Sequence, residues 1–213
     1  MFAKFKKLAV VGAIAVGSLA AASAADASVV VSPSPTPITA TATTHSILTI
    51  HGASSTVTLD CTNASAVGTL ASSTFTRQIS NNINPRFSSC LLGGFLPFTV
   101  SCTSTDTLTT TAATSGGITP GTLANISCQI TLTSLPGCTF TVTGPSGPGT
   151  VPVSYNNATN QLTVLAAGQS LAVNSVPAQC NGQVPTGPAT FTAPGGNNLV
   201  YNVLPNPLTV TGT

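Results

Sequence analysis

In several short runs of this 213-residue chain, threonine or serine alternates with apolar residues. A repeat of two suits one backbone geometry, the pleated strand, in which successive side chains point to opposite faces. In "TVTLDC", Val57, Leu59 and Cys61 share one face while Thr56, Thr58 and Asp60 share the other. The same parity groups Phe98, Val100 and Cys102, then Ile126, Cys128, Ile130 and Leu132, then Cys138, Phe140 and Val142. Four of the six cysteines therefore point with the apolar side chains, and disulfides between the inner faces of packed strands are expected.

Turn chemistry cuts this pattern into short pieces. Two β-rich runs, 43–50 and 56–61, flank Gly52 and a small polar cluster, a hairpin signal. A strand is expected at 74–79, followed by an Asn- and Pro-containing loop before Cys90. The threonine-rich stretch after Cys102 suits a strand exposed on one side and ends in turn signals at Gly116-Gly117 and Pro120-Gly121. Residues 138–143 and 151–155 read as strands around "GPSGPG", with others at 161–165, 170–175, 189–193, 199–204 and 208–211. The expected fold is all-β, a single disulfide-stapled antiparallel β-sandwich over 43–213. A closed β-barrel is the first alternative, and a β-solenoid, suggested by the related pieces "VTLDCT", "VSCTST" and "NISCQI", is the second.

The N-terminus predicts export. Lys4, Lys6 and Lys7 precede an apolar run to about Ala20, and "AASAADA" supplies small residues suited to cleavage, so residues 1–24 read as a signal peptide. The run is shorter than the roughly 20 apolar residues a spanning helix needs, so no transmembrane segment is expected once it is removed. Residues 25–42, with Pro33, Pro35 and Pro37 in alternate positions, read as an extended Pro/Ser/Thr-rich arm.

Cleavage removes every lysine. Arg77 and Arg86 then face Asp60, Asp106 and the Asp26 near the cut, which leaves the chain close to neutral. No basic patch remains to hold nucleic acid by counterion release. The remaining chain, about 185 residues, is long enough for one domain with a real core.

Catalytic chemistry is sparse, and no enzyme activity and no cofactor are expected. There is no glutamate, so a paired-carboxylate mechanism has only Asp60 and Asp106 within the domain, both read as solvated strand-face residues. His45 and His51 lie six apart without the spacing of a metal motif, and Ser146 in "GPSGP" misses the last position of G-x-S-x-G. Arg77 and Arg86 read as solubilising charges. Asn63, Asn125 and Asn157 begin N-x-S/T triplets that an Asn/Ser/Thr-rich chain produces by chance. The cysteines Cys61, Cys90, Cys102, Cys128, Cys138 and Cys180 lack close ligand pairs and point to three disulfides in an oxidising compartment.

The segments "STVTLDCTNASAVGTL", "SSCLLGG" and "ISCQITLTSLPGCTFTVTG", followed by "VPVSYNNATNQLTV", resemble small secreted bacterial β-proteins common in actinobacteria, some of which are described as activator of alkane oxidation. That resemblance implies sequential bridging, Cys61 with Cys90, Cys102 with Cys128 and Cys138 with Cys180. Two function classes follow. The expected one is a secreted, non-catalytic structural or interaction protein of the cell envelope or extracellular matrix, adhering to itself or to cell-wall components through edge strands and neutral faces carrying Thr139, Thr141 and Thr163. The other, its alternative, is an extracellular binding module for an apolar or carbohydrate ligand, for which Tyr155 and Tyr201 are the only large polar aromatics.

Overall fold

The structure, a computed structural model, describes residues 28–213 except Ser104. The expected signal peptide, its cleavage site and the first residues of the arm lie outside the described residues. Every strand pairing is antiparallel, which realises the expected all-β class and leaves no room for the parallel coils of a solenoid.

After a short strand β1 (Val29–Ser32), the chain makes eight long runs that alternate in direction. Run 1 joins β2 (Thr36–Ala42) to β3 (Ser46–His51); runs 2 and 3 are the continuous strands β4 (Thr56–Leu70) and β5 (Gln78–Leu92). Run 4 joins β6 (Leu96–Cys102) to β7 (Asp106–Thr110), and run 5 joins β8 (Ile118–Ile126) to β9 (Cys128–Leu132). Run 6 joins β10 (Thr139–Thr143) to β11 (Gly149–Asn156), run 7 joins β12 (Gln161–Val164) to β13 (Leu171–Val173), and run 8 joins β14 (Gly187–Thr192) to β15 (Leu199–Leu204). A final strand, β16 (Thr209–Gly212), returns to pair with β1.

Each run pairs with the next, and run 8 returns to run 1 through β14–β3 and β15–β2. The fourteen strands of the runs thus form one closed ring, with β4 and β5 also paired to each other. The expected sandwich is corrected on this point: its two open sheets are replaced by a ladder that passes through every run and closes. The closing seam needs close backbone approach, since a Cβ at Gly187 would collide with the His51 carbonyl.

Six of the eight runs are divided into two strands. Run 5 carries a bulge, its register against β11 shifting between Gly149 and Val151, with Asn125 at φ 64°. The bulge switches parity, so Leu123 and Ile126 both line the interior. Beyond the pair Cys61–Cys90, the buried parity of β4 changes from Leu59 and Cys61 to Ala64, and Ser89 in β5 has φ 55°. Alternation follows from the pleat; these switches decide which side of it faces in.

Two expectations from sequence change. Residues 80–89, read as a loop, belong to β5, because Pro85 sits where the side of β5 toward run 4 carries no ladder, an edge-like position that tolerates proline. The arm, from residue 28 onward, is integral: Val29 and Val31 are buried in β1, and β2 is part of the ring. The β1–β16 ribbon spans the end of the ring formed by loops 71–77, 111–117 and 157–160. Loop 174–186 folds over the opposite end.

Candidate functional site

Inward-facing residues of all fourteen ring strands surround a central cavity of about 130 Å³. Its wall is apolar almost throughout: Ile38 and Leu59 on one side, Phe98, Leu108 and Ile130 on another, Val142, Val153 and Val164 opposite. Phe87 of run 3 and Phe191 of run 8 belong to runs that are not neighbours, yet their rings meet edge to face inside the ring, with centroids 5.7 Å apart and planes at 89°. An apolar cavity of this order stays dry and takes small organic molecules or xenon.

One ionisable carboxyl interrupts this lining. Asp106 is 0% exposed and lines the cavity, and neither of its oxygens has a hydrogen-bond partner among the described residues. The expectation of a solvated residue is corrected. Asp106 opens β7 with the pattern buried, half-buried, buried, and it shares parity with Leu108, the signal by which the sequence could have revealed it. Desolvation pushes its carboxyl from 3.8 up to about 7. The folded protein therefore keeps a proton that the unfolded chain releases between those values, and stability falls across that window as pH rises.

The ring wall keeps the two domain carboxylates apart, so no paired-carboxylate site forms. Asp60 is on the outer face, where its Oδ1 lies 3.3 Å from Nδ1 of His45 in the bend of run 1. His51 is exposed at the end of β3, and Ser146 is exposed at the tip of the turn between β10 and β11. Arg86 is exposed on β5; Arg77, half-buried, precedes it, and its carbonyl accepts from the Thr110 amide at 2.8 Å. Asn63 and Asn125 are exposed, whereas both ends of the Asn157 side chain are occupied by the backbone of Val210.

Both tyrosines are buried, which removes them as a stacking surface for sugar. The Tyr155 hydroxyl lies 3.0 Å from the Leu208 carbonyl, and burial pushes it up to about 12. Tyr201 lines the cavity, and burial raises its hydroxyl as well.

All six cysteines pair, as Cys61–Cys90, Cys102–Cys128 and Cys138–Cys180. The geometry expected of them changes in the first two. Cys61 and Cys90 are directly opposed in the β4–β5 ladder, as are Cys102 and Cys128 in β6–β9, so each bridge joins neighbouring strands rather than packed layers. Only Cys138–Cys180 ties a ring strand's start to a distant loop. Three disulfides fit an oxidising extracellular or periplasmic compartment. Among the described residues, no helix is long and apolar enough to cross a membrane.

No family model, curated protein or solved structure matches the chain. The functional reading therefore stands on the cavity and on the residues around it.

Proposed function

We propose that this protein is a secreted binding module that holds a small apolar ligand inside its ring. The observation that carries this reading is the central cavity of about 130 Å³, walled by apolar side chains from every ring strand with a single ionisable carboxyl among them. Concave apolar sites with few polar groups are the usual form of small-molecule sites. We read the ring as an eight-run up-and-down β-barrel, an architecture whose interior holds side chains or one small ligand. Its outer face bears Thr139, Thr141, Thr163, Gln129 and Ser154, a hydrated surface rather than the apolar band of a membrane barrel.

The other role, adhesion to the envelope or to other copies, draws on free strand edges and on neutral threonine-bearing faces, and ring closure weakens the first of these supports. Each ring strand has neighbours on both sides, which is how closed sheets dispose of edges. A carbohydrate ligand is less suited than an apolar one, because the two tyrosines face inward.

Organic extraction of protein secreted by its own host, followed by mass spectrometry, is expected to release a small apolar molecule in near-stoichiometric amount. Val153→Phe, which fills the cavity, is expected to carry none. Equal yields from the two proteins, or none from the wild type, would overturn the reading.

A further inference from the structure

We infer that the ligand is an amphiphile with one hydroxyl group, and that this hydroxyl pairs with the Asp106 carboxyl at the cavity wall. The inference rests on the cavity reading above and names the chemistry of the occupant.

Asp106 stands apart from the other buried polar side chains near it in the chain and at the ring's ends. Ser80 bonds Asn82, Thr119 bonds the Val210 carbonyl, and Asn160 accepts from the Leu208 amide. The chain thus satisfies buried polar groups with care and leaves bare the carboxyl that faces the cavity. A buried polar group without a partner is destabilising, the more so if charged. An occupant that supplies the partner relieves this, and a plain hydrocarbon does not.

The cavity selects among polar heads. Counted at roughly one water per 10–15 Å³ of such volume, it takes on the order of ten heavy atoms. A carboxylate head would place a second negative charge beside Asp106. An ammonium brings three donors and a charge, and the remaining oxygens in the lining are few: Ser46 Oγ, already 3.4 Å from the Cys61 carbonyl, and the Tyr201 hydroxyl. A hydroxyl brings one donor and can accept one bond. It matches the carboxylate by donating, and the protonated acid by donating and accepting at once. With the carboxyl raised to about 7 by desolvation, both forms are accessible near neutrality.

The charged surroundings agree. Of the strands packed on β7, β8 carries no ionisable residue and β5 carries only Arg86, which is exposed. The preceding strand β6 has none, and Tyr201 is the other titratable residue of the lining.

The seam beside Asp106 offers a way in. Between β5 and run 4 the ladder is broken from the pair Cys90–Phe98 to the pair Ile83–Asp106. Among the described residues no hydrogen bond crosses from 84–89 to 99–102. Other seams are stitched at this height, by Thr103 to Ser127, Thr150 to Ser170, Gln169 to Phe191 and Thr43 to Val200. Pro85, Phe87 and Val100, all half-buried lining residues, flank the broken interval, and Asp106 closes one end of it.

The test is an NMR titration of the oxidised protein, labelled at Ile, Leu and Val methyls, with 1-octanol, octane, octylammonium and octanoate at pH 6. 1-Octanol is expected to bind roughly tenfold tighter than octane, the worth of one hydrogen bond to a carboxyl. Asp106→Leu is expected to abolish that preference while still binding octane, and Asp106→Asn, which keeps an acceptor and a donor, to retain part of it. If octane matches 1-octanol in the wild type, or octylammonium or octanoate surpasses it, the hydroxyl inference fails and the cavity reading stands. If none of the four shifts the methyls of Leu108, Ile130 and Val153, the cavity reading itself fails.

Discussion

The two ends of the ring are closed by different chemistry. At one end the ribbon of β1 and β16 lies under a set of side chains that imitate strand partners. Asn160 Oδ1 accepts from the Leu208 amide at 2.8 Å, both atoms of the Asn157 amide engage Val210, and Thr114 Oγ1 accepts from the Gly212 amide at 2.8 Å. On the ribbon's other edge, Ser73 exchanges two backbone bonds with Val29, and Ser72 Oγ serves both the amide and the carbonyl of Val31. At the opposite end loop 174–186 has little regular structure, one short 3-10 turn at Ala178–Cys180, and is held by the buried Cys138–Cys180 bridge. Strands can be closed off by polar side chains at fixed spacing because their backbone groups recur at fixed spacing. A loop without that repeat is held more economically by one covalent bond.

The bridge is where this contrast breaks most visibly. It spans 42 residues of sequence, and Cys138→Ser with Cys180→Ser is expected to cost about 4 kcal/mol in the chain-entropy account. Hydrogen exchange should rise first in 174–186 while the β1–β16 amides keep their protection. Equal loss of protection at both ends would mean that the two closures act as one unit.

Asn160→Ala attacks the other end. It strips the Leu208 amide and the Tyr155 hydroxyl of a buried partner, which costs about 1–3 kcal/mol, and it places alanine where the backbone has φ 53°. Urea unfolding should show this loss with the bridge intact. Enhanced exchange confined to 208–212 and 28–32 would sharpen the contrast, whereas an effect at 174–186 would erase it.

At acid pH the smallest expected effect lies between the ends, and it grows as pH rises. Asp106→Asn is expected to change stability little at pH 4 and to raise it by up to about 4 kcal/mol at pH 8. The sign follows from the raised carboxyl: at pH 8 the wild type carries an unpartnered buried charge, and at pH 4 it carries a neutral acid. Thermal melts across this range check it, and a variant whose melting temperature tracks that of the wild type at every pH would mean the carboxyl is hydrated in the folded protein.

Much of the local structure was legible from residue order. Strand β15 falls where 199–204 was expected, β12 and β14 within a residue or two, and the hairpin around Gly52 joins β3 to β4. The candidate site was less legible. Its walls are the apolar parity of the same strands, visible from Leu59 to Val153, but Asp106 lies in a threonine-rich stretch of the kind that hydrates readily, and only its shared parity with Leu108 signals burial.

What residue order determined by itself is whatever the pleat determines: strands, the alternation of side chains between two faces, and the grouping of four of the six cysteines with apolar side chains, all consequences of a two-residue repeat within one segment. Closure was decided elsewhere. The pairing of run 8 with run 1 joins Phe191 to Leu48 and Tyr201 to Ala42, contacts more than a hundred residues apart that no local pattern encodes. That same closure turned residues 28–42 from an arm into a lid strand and a ring strand, and turned one face of every run into the wall of a cavity. A strand's two faces are equivalent until the sheet curves back on itself, and only then does one of them, Asp106 included, become the inside.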